Sequence, residues 1–426
     1  MFKLGLLLFI SSVATYYWLE TKRKIKATVR PELNILERWY QANAQRRRVI
    51  GVVLDWPSDR IKTQDLIDTL VKRFSILKCQ YPNGSHWSIK RHFSSAIEIL
   101  NEEQEWKVTV ENLLSTNPES AEPLWKIVLN TQTRCLFVLM DHMLTDGIGL
   151  ARFIQSLRMV EKFPYEDYPQ SLDAVKDLTA SLSFFGKTII SRSLQSDFFV
   201  GPLPSFRASE EKGTILDSTS FSAKIIQPLI TKCRSKGTTL HGIISASACM
   251  SLFHMLLPLK EKTGSLRMKL DTPISLRTQI NKQTGVLGNL IAPCEQILEL
   301  NVQTSVWDLG KSIREHIVKA IPYAHENIGL LAFVKDFQEF QNNNKNSQFK
   351  GRLATIEVSN LGKIDCDLNW YFAQGNHYPG PLFAVNVVTC GSSGTLFLTV
   401  TAFGELVSRE DLRQFTKGIE HQLLLA

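Results

Sequence analysis

A chain of 426 residues, 44 % of them hydrophobic, can bury one very large core or two of roughly 150 to 200 residues each, and two lobes are expected. The formal charge of +8 comes from 49 basic against 41 acidic side chains. That excess is thinly spread, and no basic block with interleaved aromatics marks a nucleic-acid groove. Seven scattered cysteines, none spaced as CxxC, speak against a disulfide framework or a zinc site and for a reducing compartment.

The N-terminus carries the first signal. Leu4 to Leu19 is uncharged and mostly apolar, ends in Tyr16, Tyr17 and Trp18, and is followed by Lys22, Arg23, Lys24, Lys26 and Arg30. At ~1.5 Å per residue it reaches ~24 Å, short of a ~30 Å hydrocarbon core, which suits a marginal span or an interfacial anchor. The basic flank lies on its C-terminal side, so an uncleaved anchor leaves the large domain in the cytosol, at the endoplasmic reticulum or a lipid-droplet surface. A cleaved signal peptide, with Ser12-Val13-Ala14 as a small-x-small site, would place the protein in the secretory pathway instead; a buried helix is the third reading.

Downstream, Leu66, Leu70, Phe74 and Leu77 share one face of a predicted helix over 63–78, with Gln64, Asp68 and Lys72 opposite. Leu124 to Asn130 and Cys135 to Asp141 read as a hairpin through the polar turn Thr131 to Arg134. From Asp146 onward, Leu150, Ile154 and Leu157 follow helical spacing. Periodicity fails between Ser191 and Thr214, where Gly201-Pro202-Leu203-Pro204 and the charged run Ser209 to Gly213 mark a connection. The expected organisation is therefore an anchor or signal-like segment over 1–28, a first lobe over 29–200, a connection over 201–214 and a second lobe over 215–426. In the second half Ser218 to Ile225 reads as a strand, Gln227 to Lys236 as a helix, and Leu240 to Leu257, apolar almost all round, as a buried helix. Met268 to Ser275, Ala354 to Ser359, Phe383 to Cys390 and Thr395 to Phe403 read as strands, the last two joined at Gly391-Ser392-Ser393-Gly394. Asn-rich Gln341 to Gln348 reads as a surface loop. Both halves mix strands and helices, so the fold class is α+β: two lobes, each a mixed sheet with flanking helices.

The apolar strand that ends at Asp141 runs into His142-Met143-Leu144-Thr145-Asp146-Gly147. A general base should protrude from a rigid element and titrate near neutrality, and a histidine at a strand end satisfies the first requirement. Asp146 can cap the following helix, and Gly147 tolerates a positive φ in a tight turn. A histidine that merely ends its strand in a satisfied turn is the plain alternative. Asp141, beside the histidine, would weaken a neutral base if it faced the same cavity, but strand alternation turns it away. The remaining histidines, His86, His92, His241, His254, His316, His325, His377 and His421, show no metal-ligand spacing, and no metal is expected.

His142 to Gly147, Pro123-Leu124-Trp125 and Val358-Ser359-Asn360-Leu361-Gly362 together resemble the fungal alcohol O-acetyltransferase family, which belongs with the chloramphenicol acetyltransferase, plant BAHD and condensation-domain enzymes. Arg30 to Arg38 is similar to the family's opening segment, and Pro273-Ile274-Ser275-Leu276-Arg277 and Gly288-Asn289 to its second-lobe motifs. The resemblance implies two similar lobes meeting at a tunnel, acetyl-CoA entering from one side and the acceptor from the other. It implies that His142 takes the proton of an acceptor hydroxyl or amine, and that Asp146 is structural and pairs with Arg277, two unrelated surface charges being the alternative. Reciprocal charge swapping at those two positions is expected to restore folding in part. Ser359 and Asn360 close a predicted strand and offer oxyanion donors, with Asn360 capping the turn before Gly362 as the equal alternative; Asn289 has the same standing. Lys232, Arg234 and Lys236 are candidates for the CoA phosphates, against a solvated helix face. The expected protein is a membrane-associated monomer, without a permanently bound cofactor, that acetylates a hydrophobic alcohol from acetyl-CoA. N-acetylation of a sphingoid-like or xenobiotic amine and a noncatalytic lipid-binding relative are the alternatives.

Overall fold

The computed structural model describes residues 33–42, 48–56, 63–83, 86–89, 96–116, 123–158, 210–256, 264–279, 287–334, 336–339, 352–364, 369–376 and 380–426, with positions 178, 181, 184 and 206. Leu4 to Leu19 with its basic flank, Gly201 to Pro204 and Gln341 to Gln348 lie outside the described residues. Among the described residues no single helix is long and apolar enough to cross a bilayer.

The first helix, α1 (Ile35–Gln41), opens with a capping box: Asn34 Oδ1 accepts from the Glu37 amide and the Glu37 carboxylate accepts from the Asn34 amide, both at 2.9 Å. Two amides that a helix start leaves free are thereby satisfied. There follow β1 (Arg48–Val53), α2 (Thr63–Arg73), a short pair β2 (Cys79–Asn83) and β3 (His86–Ile89), then β4 (Ile97–Leu100) and α3 (Trp106–Ser115). The predicted hairpin is present as β5 (Trp125–Asn130) and β6 (Cys135–Asp141), registered from Asn130 opposite Cys135 to Trp125 opposite Met140. Its turn is held by Asn130 Oδ1, which accepts from the amides of Gln132 and Thr133 at 3.1 and 3.0 Å. After it comes α4 (Gly147–Arg158). All seven residues of β6 are buried, as expected of a strand covered on both faces. Gly51 of β1 marks where α4 crosses the sheet, because a Cβ there would collide with the Ile154 side chain.

The second half begins with β7 (Thr214–Phe221), α5 (Ala223–Ser235) and α6 (Leu240–Leu256). The strand ends four residues earlier than its alternation suggests, because Ser222 occupies the N-cap of α5. Next are β8 (Ser265–Asp271), the two-residue pair β9 (Ile274–Ser275) and β10 (Ile291–Ala292), β11 (Glu295–Asn301), α7 (Val306–Ala320) and α8 (Ala324–Gly329). The single strand read over Met268 to Ser275 is in fact β8 and β9. Pro273, which has no amide hydrogen to give a ladder, stands at the break. The chain closes with β12 (Ile356–Ile364), β13 (Trp370–Gln374), the hairpin β14 (Phe383–Cys390) and β15 (Leu396–Phe403), and α9 (Arg409–Leu425).

Two main sheets result, ordered β13-β1-β6-β5-β4 and β11-β8-β12-β14-β15-β7. The second is mixed, with β12 parallel to both β8 and β14. One core fills the first lobe around β1, β5, β6 and α4, the other fills the second around α6, α9 and β14. As its composition predicts, α6 is buried, with Ile243, Ala246 and Met250 packed in one cluster with Ile313 of α7 and Phe415 of α9. The sheet of the first lobe is completed from the second half: β13 pairs antiparallel with β1, Val49 opposite Gln374 through Val53 opposite Trp370. On its other side Thr401 Oγ1 of β15 donates to the Gln374 carbonyl at 3.0 Å. Further ties between the halves are the bidentate pair of Arg409 and Glu111, 2.7 Å on each arm, and Lys107 with Asp217 at 3.0 Å.

Candidate active site

The fully apolar run of β6 delivers His142 to the point where the first lobe meets the segment 287–290. The turn is closed by Asp141, whose carbonyl accepts from the Leu144 amide and whose carboxylate accepts from the Met143 amide, both at 2.9 Å. The Asp141 carboxylate is thus engaged by its own turn. His142 is 4 % exposed. Tyr40, from α1, lies flat on its imidazole with ring centroids 4.6 Å apart and planes 8° from parallel. On the ring's edge, Asn289 Nδ2 donates to the His142 carbonyl oxygen at 2.8 Å and stands 3.1 Å from Nδ1.

Asp146 is the fixed point beneath this arrangement. One carboxylate oxygen accepts from the Gly149 amide at 2.9 Å and caps α4. The other accepts from the Leu290 amide at 2.9 Å and from Arg277 Nη1 at 2.5 Å. Arg277 also donates through Nη2 to the Gly288 carbonyl at 3.0 Å, and the Gly288 amide returns to the Leu144 carbonyl at 2.9 Å. Gly288 takes φ 118°, a backbone state that side chains disfavour, and sits in a bridge with Thr145. A single buried carboxylate therefore ties the helix start of one lobe to two segments of the other. Burial pushes its pKa up, but the Arg277 guanidinium and the amides of Gly149 and Leu290 outweigh burial and hold it below the usual carboxylate range.

Several expectations are revised by this geometry. Gly147 does not adopt a positive φ; it is needed for space, since a Cβ would lie 2.5 Å from Leu361 Cδ2 and 2.9 Å from Phe372 Cζ. Asn360 uses Oδ1 to accept from the Gly362 amide at 2.8 Å, where β12 bulges, which is the turn-capping alternative. Ser359 stands half-buried opposite Asn386 in the β12–β14 register. Lys232, Arg234 and Lys236 are exposed at the C-terminal end of α5, with Lys232 Nζ 5.3 Å from the Trp307 ring centroid, a placement compatible with either reading of the cluster. Asn289, weighed in the sequence as an oxyanion donor, bonds to His142. Tyr40 went unrecognised; the visible signal was the Asn34/Glu37 capping box with Leu36 and Tyr40 one turn apart. A second buried imidazole, His241, sits near Ser245 and Thr272, and burial pushes its pKa down to about 4.

No protein-family model matches the sequence. Among curated proteins the chain is 22 % identical over 294 residues to the N-acetyltransferase SLI1 of Saccharomyces cerevisiae, a match spanning 57 % of this chain and 62 % of that protein. Among solved structures it is similar to TRI3, trichothecene 15-O-acetyltransferase of Fusarium sporotrichioides, with TM-score 0.66 and 11 % identity, covering 92 % of this chain and 93 % of the other. Polyketide synthase associated protein 5 of Mycobacterium tuberculosis gives 0.65 at 12 % identity over 94 % and 98 % of the two chains. The wax ester synthase/diacylglycerol acyltransferase of Marinobacter aquaeolei VT8 gives 0.56 at 11 % over 92 % and 99 %. The chain has the two-lobed fold that condensation domains share with chloramphenicol acetyltransferase-like acyltransferases.

Proposed function

We propose that the protein transfers an acetyl group from acetyl-CoA directly to a hydroxyl or amine of a lipophilic acceptor, with His142 as general base in a tunnel between the lobes. The observation that carries this reading is the anchoring of the His142 turn across both halves by Asp146, Arg277 and Asn289. A base must be held within a few tenths of an ångström to act, and this histidine is gripped on its face and on one edge. In the reaction His142 takes the acceptor proton as the heteroatom attacks the thioester carbonyl. The tetrahedral intermediate then collapses, and the proton passes to the departing CoA sulfur. No covalent enzyme intermediate is required. The hydroxyl remains the first choice of acceptor; the match to a protein named an N-acetyltransferase supports the amine. The apolar segment 4–19 with its basic flank supports placement on a membrane of the endoplasmic reticulum or a lipid droplet, where such acceptors partition.

The test is to incubate the wild type and His142→Ala with labelled acetyl-CoA and a panel of alcohols, sterols and long-chain amines. Loss of the base should lower transfer by about 10² to 10⁴-fold. Equal label in the two samples refutes the base assignment, and no release of free CoA with any acceptor favours a noncatalytic lipid-binding relative.

A further inference from the structure

The turn between α7 and α8 carries apolar side chains on both of its sides. On the inner side Ile317 and Ala320 pack on a cluster that holds Ala324 and Ile328 together with Ile35 and Leu36 of α1. On the outer side Val318 is 54 %, Ile321 39 % and Tyr323 54 % exposed, and Pro322 between the last two is exposed as well. Val318 is three and four positions from Ile321 and Pro322, and Ile321 keeps helical φ and ψ at the C-cap of α7, so the three share one face. Lone exposed apolar residues are ordinary, and Val302, 61 % exposed in the polar turn 301–304 at the other end of α7, is one of them. Four within six positions make a patch. Exposed Lys319 stands at its rim, and exposed Glu315, one turn back, marks where the charged side of α7 resumes.

The patch is braced from within. Pro322 fixes its own φ. Gln279 Nε2 donates to the Ile321 carbonyl at 2.6 Å, and Asn327 Nδ2 donates to the Pro293 carbonyl at 3.0 Å. Gln279 closes the short 3₁₀ turn that opens with Arg277, the partner of Asp146. A prominence that is already ordered gives up little conformational freedom on entering another phase. Apolar side chains with a tyrosine and a lysine at their margin match the boundary between acyl chains and headgroups. The apolar segment 4–19 joins the fold at the same place: Ile35, in the cluster beneath the patch, is sixteen positions from Leu19, ~55 Å of chain at full extension. A bilayer that holds the segment therefore keeps the patch at high effective concentration, and Lys22, Arg23, Lys24, Lys26 and Arg30 draw anionic headgroups toward it.

We propose that Val318, Ile321, Pro322 and Tyr323 dock on an anionic lipid bilayer as a second membrane contact, setting the second lobe against the surface at the turn that Gln279 braces. The docking rests on the membrane placement argued above and is independent of the chemistry of His142. Held at two points rather than one, the domain presents a fixed side to the bilayer from which a lipophilic acceptor arrives.

The test uses the full-length protein with an environment-sensitive fluorophore at Tyr323→Cys or, as the control, at Val302→Cys, mixed with vesicles of phosphatidylcholine and phosphatidylserine. The unsubstituted protein taken through the same labelling gives the background of the native cysteines, of which the described ones are buried. The label at 323 is expected to shift to the blue with vesicles and to be quenched by lipids carrying a nitroxide on the acyl chain, while the label at 302 stays aqueous. Protein that sediments with the vesicles while the label at 323 stays aqueous overturns the docking and leaves the membrane placement standing. Protein that does not sediment at all removes both. Equal shifts at 302 and 323 mean adsorption without a chosen face, and a shift at 323 before vesicles are added means that the chain itself or a second copy covers the patch; either result overturns the docking.

Discussion

Replacing Arg277 by methionine isolates the contact on which the His142 turn depends. The side chains of Arg277 and Asp146 are 6 % and 1 % exposed, so solvent screens the pair little. Breaking a buried pair by removing one partner costs ~3 to 5 kcal/mol. Here the orphaned carboxylate keeps the amides of Gly149 and Leu290 and the positive end of α4, which places the expected loss near the low end, ~3 kcal/mol. Denaturant unfolding followed by tryptophan fluorescence measures it as a lower midpoint at unchanged slope. Asp146→Asn combined with Arg277→Met should recover part of the loss, because the charge that needed the arginine is gone. Reciprocal charge swapping, the obvious experiment from the sequence, should fail: an arginine at 146 cannot accept from two backbone amides. The pH dependence has a definite sign. The folded Asp146 carboxyl titrates below its unfolded value of about 3.9, so its stabilisation is complete above that pH and is lost as acidification passes through the lower, folded value. The gap between wild type and Arg277→Met should therefore narrow in acid. A variant within ~0.5 kcal/mol of wild type at neutral pH, the range of an ordinary surface substitution, would refute the reasoning.

Gly147→Ala forces Leu361 and Phe372 to give way and should cost ~1 to 3 kcal/mol as overpacking, read in the same unfolding assay; a neutral result would mean that β12 and β13 yield freely at the helix start. Tyr40→Leu should fold normally and lower transfer by about 2- to 30-fold, because an aromatic face beside an imidazolium is worth ~0.5 to 2 kcal/mol. Tyr40→Phe, which retains the face, should retain the rate, and equal rates for the leucine and phenylalanine variants would discard the stacking argument.

What the sequence made legible is local. The β5–β6 hairpin is two apolar runs around a polar turn, and α6 is a helix with no polar side, so short-range pattern sufficed for both. The pairing of Asp146 with Arg277 came through the resemblance, across 131 positions of chain, and the structure contains it. Long-range geometry without such a guide was missed. Trp370–Gln374 reads as any short aromatic run, and nothing in it announces a partner more than three hundred residues upstream. Gly147 was assigned a backbone reason when the cause is the approach of two distant side chains. Tyr40 escaped because a helix shows which face is apolar and not which ring awaits it. Asn289 was weighed as an oxyanion donor, and its bond to the His142 carbonyl spans 147 positions of chain, where no local pattern reaches.

The placement of β13 bears on how the chain comes off the ribosome. β1 is an inner strand only because Trp370–Gln374 covers its outer edge. Until synthesis has passed residue 374, Val49 to Val53 present an open ladder of amides and carbonyls to any passing strand, the circumstance in which nascent sheets aggregate. The first lobe cannot be finished before most of the second has been made. A truncation between the halves therefore does not release an independent domain; it releases a sheet with a missing rung.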